Sequence, residues 1–314
     1  MASSKSVVLA ALFANGAIAL LKFAGFLLTG SPSMLSETYH SVSDTGNQVF
    51  LLVGLRYGQR SPTRGHPFGY GKAQFFYAFL VSVLLFGIAG WESAKHGYEA
   101  ITHGHSVGLS GTADVAGLSF PAVWVNYAVL TAAIAFEGYA LSKANANMQA
   151  QITRRGWSGL REAFRKTSDV TVLTAFTEDT IALLGAAIAL VGIWLTQFTG
   201  NPVYDAVAAL LIGLLLMGFA LALAWENKRL LLGESLPARD EQTLRDAVTA
   251  RDGVTHIDSF RTVFFGPNRL LVTADVSFDP DLDTAEIDAL ISGIEDDLYA
   301  ADDRVRTVYI EPEV

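Results

Sequence analysis

Six apolar segments crowd into the first 225 residues of this 314-residue chain, at 7–28, 34–55, 75–91, 122–141, 170–195 and 203–224. A bilayer core about 30 Å thick is crossed by about 20 mainly apolar residues in a helix. Lipid offers no water to exposed backbone groups, so segments of this kind must be helical. The chain is 51% apolar and only 17% charged, with a mean hydropathy of +0.34. That composition excludes both a wholly soluble protein and a disordered one. With no cysteine, the chain has no disulfide framework, Cys-based zinc finger, iron–sulfur cluster or thiol nucleophile. The first segment follows Lys5 and contains Ala17-Ile18-Ala19, which imitates a signal cleavage site. Its apolar run continues to Leu28, so it reads as a retained anchor.

Orientation follows from the basic residues of the connections. One side holds Lys5, Arg56, Arg60, Arg64, Lys72, Lys143, Arg154, Arg155, Arg161, Arg165 and Lys166; the other holds Lys95 alone. Both termini are therefore expected in the cytoplasm of a multi-pass cell-membrane protein. The charge then breaks sharply. Residues 226–314 hold 20 acids against 9 bases, whereas residues 1–225 hold 11 against 13. This divides the chain into a membrane domain, 1–225, and an acidic cytoplasmic domain, 226–314, and argues against a nucleic-acid partner.

The acidic domain reads as α-β-β-α-β. Pro237 opens a helix with Leu244 and Val248 on its buried side. A strand near 257–264 turns at Gly266-Pro267-Asn268 into one where Leu270, Val272, Ala274, Val276 and Phe278 alternate with polar residues. Asp283 and Glu286 form a capping pair for a helix bearing Ile287, Leu290, Ile291, Ile294 and Leu298, and 305–310 closes the sheet. Such a small α+β domain has little core, so a homodimer is expected.

Ionisable residues inside lipid cost about 2.5–3.5 kcal/mol each on insertion scales and call for a reason. The second segment carries Glu37, His40, Asp44 and Asn47, spaced 3, 4 and 3, on one helical face; the fifth carries Glu178-Asp179 within an apolar run. One imidazole and several carboxylates meeting across two helices would make a first-row metal site. The alternative is a buried polar network that fixes helix packing.

Ser33-Met34-Leu35-Ser36-Glu37 followed by His40-x-x-x-Asp44 closely resembles the second span of the cation diffusion facilitator family of metal/proton exchangers. His66-Pro67-Phe68-Gly69-Tyr70-Gly71-Lys72 on the next loop is also similar to that family, and Glu178-Asp179-Thr180 to its zinc transporter nine-like subgroup. The resemblance covers the six spans and the tail, a ferredoxin-like domain for regulation and dimerisation. It implies a tetrahedral site with His40, Asp44 and Asp179 as metal ligands. The fourth position is Ala175, which cannot bind metal; water, Glu178 or Asn47 would complete the shell, with Glu37 a further ligand or proton carrier. Zn²⁺ comes first as cargo, with H⁺ as counter-ion and no resident cofactor. Oxygen-rich completion would favour Mn²⁺ or Fe²⁺.

Other polar residues have plainer readings. Lys22 reads equally as a snorkelling side chain and as half of an internal ion pair. Glu137 is expected at the interface. His103 and His105, with His96 nearby, sit in an outer connection and read as solvated rather than as a metal trap. His66 reads as structural, because the positions where the family places its partners are Thr63 and Tyr70. The tail positions that hold histidine in many members are Asp258, Asp275 and Tyr309 here, which speaks against metal sensing there. No zinc-protease His-Glu-x-x-His is present, and Gly65–Lys72 lacks the spacing of a phosphate loop. Two functions stand against each other: a proton-coupled metal exporter, and a membrane scaffold that kept the fold and lost transport.

Overall fold

The computed structural model describes residues 2–103, 112–115 and 118–313. The chain forms two compact units. One comprises Met1–Val53, Tyr77–Phe164 and Thr171–Trp225; the other comprises Gly54–Phe76, Arg165–Val170 and Glu226–Val314.

The helices are α1 (Ala2–Thr29), α2 (Pro32–Gly58), α3 (Lys72–Leu84), α4 (Trp91–His103), α5 (Val123–Arg155), α6 (Leu160–Lys166), α7 (Val170–Thr199) and α8 (Val203–Leu232). A π-helical turn, Leu85–Gly90, joins α3 to α4 as one continuous rod. Strands β1 (Thr112–Val115) and β2 (Leu118–Pro121) pair as a short antiparallel hairpin before α5. Every apolar segment of the sequence lies inside one of these helices or the α3–α4 rod, except that Ala122 stands just ahead of α5 as its cap. Three helical stretches among the described residues are both long and apolar enough to cross a membrane: Lys72–His103, Val172–Thr199 and Val203–Leu232. α2 and α5 are not among them: α2 carries its polar stripe, and the apolar half of α5 carries Asn126 and Glu137.

Met34, Leu85, Leu130, Ile181, Ile193, Ile212 and Leu216 form the centre of the first unit. Lipid tails are as apolar as leucine, so helices in a bilayer associate by close packing rather than by water exclusion. Small residues permit it here. A Cβ on Gly97 would overlap the Leu210 backbone of α8, and one on Gly213 the Ala94 backbone of α4. Leu27, Val191, Phe198, Leu211 and Leu221 face outward, an apolar surface suited to lipid and a liability in water.

α5 runs well past the expected end at 141. Its polar half carries Ala144 and Met148 inward, and Met148 packs with Ala163, Leu173 and Leu223. It stops at Gly156, whose φ of 63° supplies the left-handed cap.

In the second unit α9 (Ala238–Thr249) follows Pro237 and buries Leu244 and Val248. Strands β3 (Val254–Gly266), β4 (Arg269–Phe278) and β5 (Val305–Glu313) lie in the order β3-β4-β5. β3 is antiparallel to β4 through a tight turn at Asn268 (φ 52°), and β5 is parallel to β4 after the crossover helix α10 (Thr284–Ala301). Leu270, Val272, Ala274, Val276 and Phe278 are all buried, as the alternation requires. The Asp283/Glu286 capping box is formed. Arg304 is buried and reaches Asp240 at 2.7 Å and Asp302 at 2.5 Å, tying α9 to the start of β5. The His66–Lys72 loop belongs to this unit. The Phe68 and Phe265 rings stand 5.9 Å apart, and Gly71 runs so close to the Phe265 and Gly266 backbone that no Cβ would fit.

Candidate metal centre

α2 begins at Pro32, whose fixed φ suits a first helical turn, after Gly30 reverses the chain at φ 64°. The helix presents Glu37, His40, Asp44 and Asn47 inward, and all four are buried. Their fates differ.

Glu37 is held by α1. Its Oε2 accepts from Lys22 Nζ at 2.7 Å, and the same ammonium donates to Ser41 Oγ at 2.9 Å. Lys22 is fully buried, so it is half of an internal ion pair and does not snorkel. Gly185 of α7 leaves room for the other carboxylate oxygen, since a Cβ there would overlap Glu37 Oε1.

His40 and Asp44 are unspent. Their nearest atoms, Nδ1 and Oδ1, lie 3.4 Å apart but are not aligned for a hydrogen bond. Neither His40 ring nitrogen nor Asp44 Oδ1 has a hydrogen-bond partner among the described residues. Buried polar atoms are normally paired, so three orphans within one helical turn mark a place where an imidazole lone pair and a carboxylate oxygen are open to a ligand.

Asn47 joins α2 to α7 by donating to Glu178 Oε1 at 3.0 Å. Asp179, the next residue, is only half-buried, and Ala175 is exposed. Among the described residues no three His, Asp or Glu side chains converge closely enough to hold a metal ion. The α7 carboxylate that reaches the α2 face in this conformation is Glu178. Asp44 nonetheless shares its electrostatic surroundings with Glu178, Glu137, Glu37 and Lys22.

Glu137 is buried among side chains, and it interacts electrostatically with Lys22, Asp179 and Glu37. Asp205, which sequence reading passed over, is buried at the start of α8. It accepts from the Ser33 hydroxyl, and its backbone N–H donates to Thr196 Oγ1 at 3.0 Å. An acid in the first turn of so apolar a helix was the available signal.

The weaker histidines lie elsewhere. His66 is exposed, exchanges backbone hydrogen bonds with Thr63 and packs on Tyr70, whose hydroxyl lies 3.1 Å from Thr63 Oγ1. His103 is exposed with Nδ1 3.0 Å from Thr102 Oγ1. His96 stacks on Tyr39. His105 lies outside the described residues.

Residues 8–232 match the cation efflux transmembrane domain. The chain belongs to the cation diffusion facilitator family. Over 273 residues it is 29% identical to the human mitochondrial proton-coupled zinc antiporter SLC30A9, covering 87% of this chain and 46% of that protein. Over 276 residues it is 26% identical to metal tolerance protein C4 of Arabidopsis thaliana, covering 88% and 57%. An uncharacterized transporter of Methanocaldococcus jannaschii, MJ0449, is 22% identical over 253 residues, covering 81% and 78%. The chain thus spans about half the length of the human and plant relatives. The resemblance drawn from the α2 stripe and the His66–Lys72 loop holds for the family, and that drawn from Glu178-Asp179-Thr180 holds for its zinc transporter nine-like branch.

Proposed function

We propose that this chain is a six-span, proton-coupled exporter of a divalent metal ion, with Zn²⁺ the first candidate. The observation that carries the reading is the orphaned His40–Asp44 pair, deep in a polytopic helical unit, in a family whose relatives are named zinc antiporter and metal tolerance protein. His40 and Asp44 would offer nitrogen and oxygen to the ion, and α7 would complete the shell through Asp179 or Glu178 with water, because Ala175 cannot. A shell completed by oxygen alone would suit Mn²⁺ or Fe²⁺.

Charge accounting supplies the coupling. Asp44 and Asp179 would give the empty site two negative charges in a low-dielectric setting, and carrying those charges across empty is costly. Two protons cancel them as well as one divalent ion does. Metal ligands bind only when deprotonated, so the two cargoes compete for the same atoms. Rocking between faces then exchanges metal for protons.

On this reading residues 1–225 form the transport domain in the cell membrane with both termini cytoplasmic. Residues 226–314 pair two copies into a homodimer. Ile287, Leu290 and Ile291 of α10 stay only half-buried in the single chain, which supports such a contact.

The test is zinc flux in liposomes holding the purified chain, with a zinc dye and a pH dye inside. Zinc movement that requires an opposing proton gradient is expected, and Asp44→Ala should abolish it. Equal flux in Asp44→Ala refutes the site. Zinc movement indifferent to the proton gradient refutes the coupling.

A further inference from the structure

We propose that Lys22 is the resident counter-charge of the metal site: it occupies Glu37, so that Glu37 is withheld from the cargo, and its own charge sets how tightly the cargo is held. This rests on the transport reading above. The ammonium is fully buried and spends two of its three hydrogens, on Glu37 at 2.7 Å and on Ser41 at 2.9 Å. Glu37 precedes His40 by one helical turn on the same face, and the Lys22 charge acts on His40, Asp44 and Glu137 as well. Glu37 Oε1 has no hydrogen-bond partner among the described residues and faces the gap at Gly185. Without Lys22, therefore, a free carboxylate would stand one turn from the metal ligands.

Helix packing alone does not account for the pair. Replacing a buried ion pair by apolar side chains of similar volume is often neutral or stabilising. What apolar side chains cannot reproduce is a fixed positive charge beside the cargo. Lys22 acts through Glu37 and through its field and does not touch the metal, so it is a positioning residue.

The two single variants should move zinc affinity in opposite directions. Glu37→Gln keeps an acceptor for the ammonium, so the fold survives, but leaves a net positive charge near His40 and Asp44. Zinc should bind at least tenfold more weakly, an order-of-magnitude expectation for one added unit charge at such range. Lys22→Met frees the Glu37 carboxylate, so zinc should bind more tightly and leave more slowly, lowering maximal flux. The double variant Lys22→Met/Glu37→Gln restores neutrality, and its affinity should return to within about threefold of wild type. The measurement is zinc titration of the full-length chain in detergent, with Asp44→Ala alongside.

If Asp44→Ala loses zinc while Glu37→Gln binds as wild type does, the counter-charge role is overturned and the site stands. If Asp44→Ala binds zinc normally, the site reading itself falls. Should Lys22→Met fail to fold, Glu37→Gln and the double variant still decide: weakening followed by restoration supports the role, and weakening without restoration overturns it.

Discussion

Gly185→Ala is the smallest change that tests the packing of the ion pair. The new Cβ would stand well under 3.0 Å from Glu37 Oε1, so something must move. The carboxylate is not free to retreat, because its other oxygen is held by Lys22 at 2.7 Å. Overpacking a tight interior costs about 1–3 kcal/mol, and dislodging one member of a buried ion pair costs about 3–5 kcal/mol. Alanine returns about 1 kcal/mol through its better helix propensity. A net loss of up to about 2 kcal/mol follows if the helices give slightly rather than break the pair. For a domain of this size that lowers the thermal midpoint by up to about 8 °C. Gly218→Ala on α8 is the internal control, since no heavy atom lies within 4 Å of its would-be Cβ. It should be neutral or stabilising by up to about 1 kcal/mol. The assay is thermal unfolding of the purified chain in one detergent. In a Glu37→Ala background the penalty of Gly185→Ala should vanish, because the atom it strikes is gone. Equal shifts for Gly185→Ala and Gly218→Ala, or a penalty that survives in Glu37→Ala, would falsify the packing argument.

Three further outcomes are expected. Arg304→Met strands the Asp240 and Asp302 carboxylates that now share its guanidinium and should cost about 3 kcal/mol, the low end for a buried pair because Asp240 is partly exposed, read as a lower unfolding midpoint for the second unit. The Asp297 carboxyl is held below its ordinary value by its hydrogen bond from Arg251, so that contribution to stability is present at neutral pH and is lost as pH falls through the depressed value; Arg251→Ala should therefore flatten the acid side of the melting profile. Ala175→His places an imidazole one turn before Asp179 and should tighten zinc binding and sharpen selectivity against Mn²⁺ without raising maximal flux; unchanged zinc affinity would refute a vacant ligand position.

Much of the fold was legible because periodicity reports burial directly. The alternation from Leu270 to Phe278, the Asp283/Glu286 cap and Pro237 ahead of α9 all appear where the pattern put them. α5 outruns its apolar segment because hydropathy registers lipid contact and not helix. Its polar half is helical through protein packing at Met148, which no window of apolarity detects. Lys22 stayed ambiguous for a related reason: helical spacing tells which residues share a face, but not which neighbouring helix supplies the partner. The α2 stripe looked uniform in sequence. In the structure it serves α1 at Glu37 and α7 at Asn47, and between them both His40 ring nitrogens and Asp44 Oδ1 have no hydrogen-bond partner among the described residues.

That division ranks the groups by how readily each would turn to a metal ion on the proposed function. His40 and Asp44 surrender no hydrogen bond on binding, because Nδ1, Nε2 and Oδ1 have none among the described residues. Glu178 must release the Asn47 amide, a charged-acceptor hydrogen bond whose net worth is about 1.5–3 kcal/mol. Glu37 must leave a fully buried ammonium, at about 3–5 kcal/mol. Asp179 has no such bond to break among the described residues, but it is only half-buried and is not gathered with the α2 pair. Its recruitment therefore requires that it be brought to the α2 pair, whereas recruiting Glu178 requires at least the loss of its amide contact. The two routes are distinguishable. If Glu178 is the first α7 ligand, Asn47→Ala should tighten zinc binding by freeing it; if Asp179 is, Asn47→Ala should leave affinity unchanged or weaken it by loosening the contact between the helices.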